Sequence, residues 1–391
     1  MTRNTALVAA LALLAAVVMM TIYLLAQSST WVTAPANAAA PTRSIDTSQL
    51  VEVAPETPWR SLGQTETVTR IGVGSCLHQD MPMPIWRSVI ANKPQLFLML
   101  GDNVYGDIKR GDPNELGRAY QRLSRQPEFE TARAAFPFLA TWDDHDYGLN
   151  DGGAGYEFQP HAAHFFRSFF DLPAAQQPDG GIYYARTFGP EGRRVQIIML
   201  DTRSFRSPLR RKSRSFPHWG KYEPLAEPGR TMLGDTQWDW LAKQLKQPAD
   251  IRLIGSGVQV LANGHGWERW GNLPLERDKL IELIRKQDAR GVILLSGDRH
   301  SAALFRDPGK GADGSDLIEM TASSMNRAFG PSRDKRMAPL VSDIIWQENF
   351  GQIDIDWVGR SVTLSIRDVR GAPAAEMTLP FNALGMRDQN Q

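Results

Sequence analysis

Cysteine is almost absent from this chain of 391 residues, which contains only Cys76. An intrachain disulfide is therefore impossible, and the class of small disulfide-stabilised exported proteins is excluded. The lone thiol is then either a buried, inert side chain or a thiolate that binds a metal ion, and the sequence leaves both interpretations open.

The chain has no large excess of charge of one sign either, because it contains 44 Lys and Arg residues and 43 Asp and Glu residues. A formal net charge of +1 gives no general attraction to nucleic acid, and the sequence contains no recognisable nucleic-acid-binding module. Hydrophobic residues make up 42% of the chain and charged residues 22%, which is typical of a globular protein with a large core. We expect a monomer.

The only long apolar run is Ala6–Ala26. At about 20 residues it is long enough to cross a bilayer, although the core of a signal peptide has the same composition. We therefore predict a signal peptide or an N-terminal membrane anchor over residues 1–27, and we favour the anchor. Because Arg3 precedes the run, the remainder is expected in the periplasm or outside the cell, and an uncleaved N-terminal helix would tether it to the inner membrane. Residues 28–65 are predicted to form a flexible linker, and residues 66–385 a single domain.

Several apolar strands are each followed directly by polar side chains. The predicted strands, with the polar residues after them, are Thr69–Ser75 with Cys76, Gln95–Leu100 with Asp102 and Tyr105, Phe136–Thr141 with Asp144 and His145, Val195–Leu200 with Arg203, and Gly291–Ser296 with Asp298 and His300. In open α/β sheets, sites form outside the carboxyl ends of the strands. We therefore expect these side chains to come together in one site.

The spacing of apolar residues predicts helices between these strands. Helices are expected over Met83–Asn92, residues 114–134, Phe158–Phe170, Leu233–Gln247 and Asp278–Gln287. Towards the C-terminus, apolar and polar residues alternate, which predicts antiparallel strands at Gly351–Trp357, Ser361–Arg367 and Glu376–Pro380. The chain therefore belongs to the α/β (α+β) class.

The loop Ala140–Asp151 crowds four aspartates around His145. Carboxylates this close repel one another unless a cation lies among them, so the loop indicates either a metal ion or a solvated polar turn. The residue types that follow the strands favour the metal. Carboxylate, imidazole, thiolate and phenolate together suit trivalent iron, and the oxygen-rich positions suit Ca²⁺, Mg²⁺ or Mn²⁺.

Two metal ions that share one carboxylate form a clamp suited to displacement at phosphorus. In such a reaction His145, beside the carboxylates, is the candidate general acid that protonates the leaving alkoxide. Arg203 is a candidate for a bidentate contact with phosphate, and an internal pairing with a carboxylate is its alternative role.

Six short motifs occur along the chain: Gly74–Cys76 (GSC), Leu100–Tyr105 (LGDNVY), Ala140–Asp146 (ATWDDHD), Leu200–Arg203 (LDTR), Met232–Trp238 (MLGDTQW) and Ser296–Ser301 (SGDRHS). In these motifs and their order the chain resembles the alkaline phosphatase D (PhoD-like) family, a branch of the calcineurin-like metallophosphoesterases. The resemblance extends over about residues 69–326.

The resemblance implies a four-layer αββα sandwich of two mixed β-sheets flanked by helices. It also implies a binuclear centre of Fe³⁺ and Ca²⁺, with Mn²⁺, Mg²⁺ or Zn²⁺ as other possible occupants. Position by position, Cys76 and Tyr105 correspond to iron ligands, Asp102 to the bridging catalytic carboxylate, and Asp298 and His300 to ligands that complete that side. Asp144 and Asn150 correspond to further metal ligands, and His145 to the catalytic histidine.

The implied activity is that of an exported phosphoesterase, which hydrolyses phosphate mono- or diesters through metal-activated hydroxide. The chain departs from the family in Arg299, which replaces a small apolar residue and is a candidate substrate contact, and in Asp146–Gly148 after the histidine. It also lacks the twin-arginine signal of many exported members. Two other functions are considered: an inactive, metal-bearing anchored protein that binds anionic ligands, and an iron redox protein.

Overall fold

Three of the strands that are followed by candidate site residues, β1, β2 and β3, lie in the first of two sheets. The structure, a computed structural model, describes residues 45–172, 179–331 and 339–387. In this sheet the strand order is β12-β11-β10-β1-β2-β3, in which β1, β2 and β3 are parallel and β10 to β12 are antiparallel. Its strands are β1 (Arg70–Gly74), β2 (Leu96–Leu100), β3 (Phe138–Thr141), β10 (Asn349–Asp356), β11 (Ser361–Asp368) and β12 (Pro373–Pro380).

The second sheet has the order β4-β5-β6-β7-β9-β8, with parallel strands in the middle and one antiparallel strand at each edge. Its strands are β4 (Tyr184–Phe188), β5 (Val195–Met199), β6 (Ile251–Ser256), β7 (Val292–Ser296), β8 (Ala303–Asp307) and β9 (Leu317–Thr321). The central strands β5 and β7 are buried along their whole length and mostly apolar, as expected for parallel strands covered on both faces.

Seven α-helices are found in the described ranges: α1 (Ile85–Ala91), α2 (Asn114–Ser124), α3 (Pro127–Ala135), α4 (Asp144–Tyr147), α5 (Gln159–Phe170), α6 (Gly234–Leu245) and α7 (Pro274–Lys286). Helices α1, α2, α3 and α5 cover the outer face of the first sheet, and α6 and α7 cover that of the second. Leu98 and Leu100 point to the core between the sheets, whereas Phe97 and Met99 face the helices, as the two-residue period of a strand requires. The predicted four-layer αββα sandwich is confirmed.

Two predicted helices differ in the structure. The helix expected over residues 114–134 is divided at Pro127, which opens α3 at a position where a missing N–H costs nothing. The helix expected from Asp278 begins four residues earlier, at Pro274. The edge strands β4 and β8 were not predicted, because both contain charged residues and neither forms a continuous apolar run.

The predicted linker, residues 28–65, is described only from residue 45, and that part is not a free spacer. Val53 is buried, and the indole of Trp59 packs among Phe138, Phe169 and Phe170, where its N–H donates to the carbonyl of Phe169 at 2.5 Å. This apolar burial attaches the segment to the domain. The predicted signal peptide or anchor, residues 1–27, lies outside the described residues. No helix within the described ranges is long and apolar enough to cross a membrane.

Candidate metal centre

The candidate ligands lie at the carboxyl ends of strands from both sheets. Cys76 and Asp102 each stand two residues beyond β1 and β2, and Asp298 and His300 stand two and four residues beyond β7. All four have left-handed backbone angles, with φ of 56°, 51°, 65° and 50°. Such angles cost about 1–3 kcal/mol each for residues other than glycine and cluster at functional sites. The surrounding fold therefore holds these four side chains in conformations that a free chain avoids.

The two sheets approach each other closely at this point, and Gly297 permits it. A Cβ at Gly297 would lie 2.8 Å from the side chain of Ser75 and 2.9 Å from the carbonyl oxygen of Leu100. Glycine is therefore required between Ser296 and Asp298, and the strand end from the second sheet can reach those of the first.

A first cluster joins Cys76, Asp102, Tyr105 and His300. The Sγ of Cys76 is 3.4 Å from Oδ2 of Asp102, and the Tyr105 hydroxyl is 3.1 Å from the same oxygen and 3.3 Å from Nε2 of His300. Ligating atoms of Cys76, Asp102 and His300 lie within 4.8 Å of one another. The thiol, carboxylate, phenol and imidazole that the sequence predicted are therefore in contact.

A second cluster joins Asp102 to Asp144 and His145, again with ligating atoms within 4.8 Å of one another. The backbone N–H of His145 donates to Oδ1 of Asp102 at 3.3 Å, while Oδ2 faces Cys76 and Tyr105. Asp102 is thus common to both clusters. A carboxylate in this position has the arrangement of a ligand shared between two metal ions.

The protonation states of this set fit a cation. Burial, followed by repulsion from Asp102, raises the pKa of the Cys76 thiol and of the Tyr105 phenol well above their ordinary values. Burial also raises the pKa of Asp102 well above its usual range, and the charges of Asp144, Asp146 and Asp298 add to the shift. A bound cation would offset this desolvation and repulsion, and thiolate, phenolate, carboxylate and imidazole are a chemically suitable set for Fe³⁺.

His300 is held in the state that a metal-binding histidine needs. Its Nδ1–H donates to the carbonyl of Arg327 at 2.5 Å, which leaves the lone pair on Nε2 next to Tyr105. Burial lowers the pKa of His300 to about 4, in spite of that hydrogen bond. The imidazole is therefore neutral at physiological pH.

His145 has the opposite charge state. Burial by itself would lower its pKa, but the charges of Asp102 and Asp144 and a hydrogen bond with Asp107 outweigh burial and raise the pKa to about 10. The Nδ1–H of His145 donates to Asp107 at 3.0 and 3.1 Å to the two carboxylate oxygens. Asp107 was not predicted, although its place in the same loop as Asp102 and Tyr105 was a usable signal.

Arg203 is not available to a substrate, which corrects its prediction as a phosphate contact. Its side chain has 0% exposure and pairs with Asp143 at 2.5 Å and with Glu268 at 2.7 Å. Glu268 also pairs with Arg206 at 2.7 Å. The structure therefore favours the alternative role predicted for Arg203, an internal pairing with carboxylates. Its buried guanidinium neutralises the charges of Asp143 and Glu268.

The aspartates of the loop Ala140–Asp151 have separate surroundings. Asp144 lies in the site, where burial opposes ionisation but the charges of Arg203 and His145 hold its pKa below its ordinary value. Asp146 is an internal acceptor for the N–H groups of Asn103 and Asp143. The loop is therefore one wall of the site together with its support.

Asn150, predicted as a metal ligand, is exposed. The next residue turns inward instead, because the N–H of Asp151 donates to Oδ2 of Asp144 at 2.7 Å. Asp144, Asp151 and Glu268 form a third group of carboxylates with oxygens within 4.8 Å of one another. Glu268, distant in sequence from every motif, was not predicted.

The other two predicted site residues lie beside the centre. Burial, followed by the charge of Asp143, raises the pKa of Asp298 well above the usual range, so this carboxyl interacts electrostatically with the other carboxylates. The guanidinium of Arg299 lies 5.6 Å from the ring centre of Trp267. Neither residue is part of the two clusters that share Asp102.

The fold of two mixed sheets flanked by helices is shared with solved structures of low sequence identity. Purple acid phosphatase PPD1 from yellow lupin (Lupinus luteus) superposes with a TM-score of 0.53 at 10% identity, over 83% of this chain and 56% of that one. GAP50, the anchor in the inner membrane complex of Plasmodium, gives 0.51 at 13% identity, over 81% and 90%.

The family model of the PhoD-like phosphatases matches residues 71–365, and the chain belongs to this family. The solved structure of PhoD superposes with a TM-score of 0.64 at 16% identity, over 82% of this chain and 70% of that one. Alkaline phosphatase D of Bacillus subtilis (strain 168) is 22% identical over 258 residues, which is 56% of this chain. The match spans only 43% of that relative's length. The predicted family is confirmed.

Proposed function

We propose that the chain is a metal-dependent phosphoesterase that hydrolyses phosphate esters at the Asp102 centre. The single observation that carries this proposal is the position of Asp102, whose two oxygens face different clusters, one with Cys76 and Tyr105 and one with His145. Family membership supports the reaction type. Metal ions bound there supply Lewis-acid activation of water and neutralisation of phosphate charge.

The side chains divide the remaining work. Cys76, Asp102, Tyr105 and His300 are proposed to hold Fe³⁺, and Asp102 with Asp144 to hold Ca²⁺ or another hard divalent cation. Asp298, beside the carboxylates, is proposed to complete the iron side.

His145 is proposed to donate the proton that the leaving alkoxide requires. Asp107 accepts a hydrogen bond from Nδ1, so it fixes the ring and leaves Nε2 as the nitrogen that faces the reaction. The neighbouring carboxylates favour the imidazolium, which is the form a general acid needs before the reaction.

The alternative, an inactive anchored protein that binds anionic ligands, requires the same fold without a working acid. The His145–Asp107 pair weighs against it, because a protein that only binds phosphate has no need of an oriented proton donor. Location outside the cytoplasm and a monomeric state are part of the proposal and rest on the sequence alone.

The test compares 4-nitrophenyl phosphate with ethyl 4-nitrophenyl phosphate, a monoester and a diester with the same leaving group. The full chain is stripped of metal by chelation and then supplied with iron, calcium, both, or neither. The proposal expects hydrolysis of one or both esters that is lost on stripping and returns with the two metals together. Absence of hydrolysis under every metal condition, with phosphate still bound, would favour the binding protein.

A further inference from the structure

The segment Ser323–Gly330 follows β9 and runs along the metal centre in a fixed position. The Ser323 hydroxyl donates to Sγ of Cys76 at 3.1 Å and accepts from the backbone N–H of His300 at 2.8 Å. Asn326 accepts from the N–H of His78 at 2.7 Å and donates to the carbonyl of the same residue at 3.0 Å. These hydrogen bonds hold the backbone that leads to Arg327 against Cys76, His78 and His300.

Arg327 places a positive charge over one of the candidate iron ligands. Its guanidinium carbon lies 4.1 Å from the ring centre of Tyr105, a cation–π contact. The Nε of Arg327 is buried without a hydrogen-bond partner. A partly buried arginine of this kind has unused donors that match a phosphate oxygen.

Phe329 presents an aromatic face at the same edge. Its ring stacks on His300 with centres 4.1 Å apart and planes 29° apart, yet 68% of the residue is exposed. A single exposed apolar residue is ordinary on a protein surface, but this ring stacks on a candidate metal ligand and remains accessible from solvent. The guanidinium of Arg327 lies 5.6 Å from the centre of the same ring. Cation and aromatic face therefore form one continuous surface.

We propose that Arg327 and Phe329 bind the ester group of the substrate, and that the preferred substrates are phosphate esters whose alcohol carries a planar aromatic ring. This inference rests on the proposed phosphoesterase function. Tyr105 and His300 are candidate ligands of the centre. The guanidinium carbon of Arg327 lies 4.1 Å from the ring centre of Tyr105, and the ring centre of Phe329 lies 4.1 Å from that of His300. Arg327 would bond a phosphate oxygen, and Phe329 would stack against the ring of the alcohol.

Binding of two phosphonates to the metal-loaded full chain tests the proposal without requiring hydrolysis. Benzylphosphonate and cyclohexylmethylphosphonate have similar size and charge, but only the first has a planar aromatic ring. By calorimetry, the unmodified chain should bind benzylphosphonate roughly 3–10-fold more tightly. Phe329→Leu should reduce this ratio to about one. Arg327→Met should weaken both ligands about 10–100-fold and leave the ratio unchanged.

Leu275→Ala, at an exposed apolar residue of α7, is the matched control and should keep both affinity and ratio. Equal binding of the two phosphonates, or a ratio unaffected by Phe329→Leu, would overturn the role of the ring. Unchanged affinity in Arg327→Met would overturn the role of the arginine. If the ratio behaves as expected but no ester is hydrolysed, the proposed function fails, and only the binding of phosphate and ring by Arg327 and Phe329 stands.

The same assay distinguishes two kinds of ester that carry a planar ring, nucleoside phosphates and simple aryl phosphates. Phosphonate analogues of adenosine 5′-phosphate and of ribose 5-phosphate differ by the base alone. A preference for the adenosine analogue that is lost in Phe329→Leu identifies a nucleoside substituent. No preference in this pair, together with one for benzylphosphonate, identifies a simple aryl ester.

Discussion

The Nδ1 nitrogen of His145 lies 3.0 Å from Oδ1 of Asp107, and this pair links the loop after β2 to α4, the short helix after β3. We expect His145→Ala to retain both metals and to slow hydrolysis by about 10²–10⁴-fold, the range for general acid catalysis. Rates and metal content by elemental analysis are measured on the same samples. Loss of metal in His145→Ala would make this residue a ligand instead.

Asp107→Asn tests the positioning role of the carboxylate. The amide can still accept from Nδ1 but removes the negative charge that favours the imidazolium. We expect hydrolysis to slow by about 10–100-fold, as at sites where the carboxylate that orients a functional histidine is lost. The pH–rate profile is the second readout, because its alkaline limb should move to lower pH when the charge is removed. An unchanged profile would assign Asp107 to structure alone.

Arg203 is predicted to matter for stability. Arg203→Met leaves the buried carboxylates of Asp143 and Glu268 without their partner, so we expect the free energy of unfolding to fall by about 3–5 kcal/mol. Arg118→Met removes an exposed pair with Asp112 and should cost less than about 1 kcal/mol. Urea unfolding of both variants makes the comparison, and equal losses would contradict the assigned role of Arg203.

The Cys76 and Tyr105 cluster predicts a coloured protein. Thiolate or phenolate bound to Fe³⁺ should give visible charge-transfer absorption, and Tyr105→Phe should change that spectrum while Cys76 remains as a ligand. Absorption spectra and iron content measured together check this prediction. A colourless, fully active protein that contains only zinc or magnesium would contradict it.

His265 gives a pH-dependent prediction away from the metal clusters. The backbone N–H of Trp267 donates to Nδ1 of His265 at 3.1 Å, so the proton is on Nε2 and is donated to Oε1 of Gln259 at 3.1 Å. Burial, followed by the charges of Arg299 and Arg269, lowers the pKa of His265 well below 6.5.

The unfolded chain therefore binds a proton below about pH 6.5 that the folded protein excludes. The stability from neutral His265 is complete above that pH and is lost as the pH falls further. His265→Gln should reduce the slope of unfolding free energy against pH below 6.5 by up to about 1.4 kcal/mol per pH unit. Above pH 7.5 the two curves should run parallel. Identical slopes at acid pH would refute the assignment.

The sequence was sufficient for the sheet framework and for one side of the site. Leu96–Leu100 and Val292–Ser296 are short apolar runs with polar residues directly after them, and parallel strands place such residues at one edge. Asp102 and His300 could therefore be predicted together although 198 positions separate them. Pro127 is a local signal for the division between α2 and α3, because proline is tolerated only in the first turn of a helix.

The rest depends on contacts between distant segments. The sequence around Arg203 is no different from that around an arginine that faces a substrate. Arg203 is buried by its ion pair with Glu268, which lies in another loop. Asn150 has a suitable side chain, but the turn directs the N–H of Asp151 inward and leaves the asparagine in solvent. Trp59 stands in a Pro- and Ser-rich stretch, and only its contacts with distant aromatic residues such as Phe169 and Phe170 show that the segment packs on the domain.

Asp102→Asn tests the central claim most directly, because this carboxylate is the one group common to both clusters. Metal content and hydrolysis of 4-nitrophenyl phosphate and its ethyl diester are measured after reconstitution with iron and calcium. We predict that the unmodified chain binds both metals and hydrolyses at least one ester, whereas Asp102→Asn loses both metals or binds them at much reduced occupancy and is inactive. A variant that keeps both metals and full activity would contradict the account.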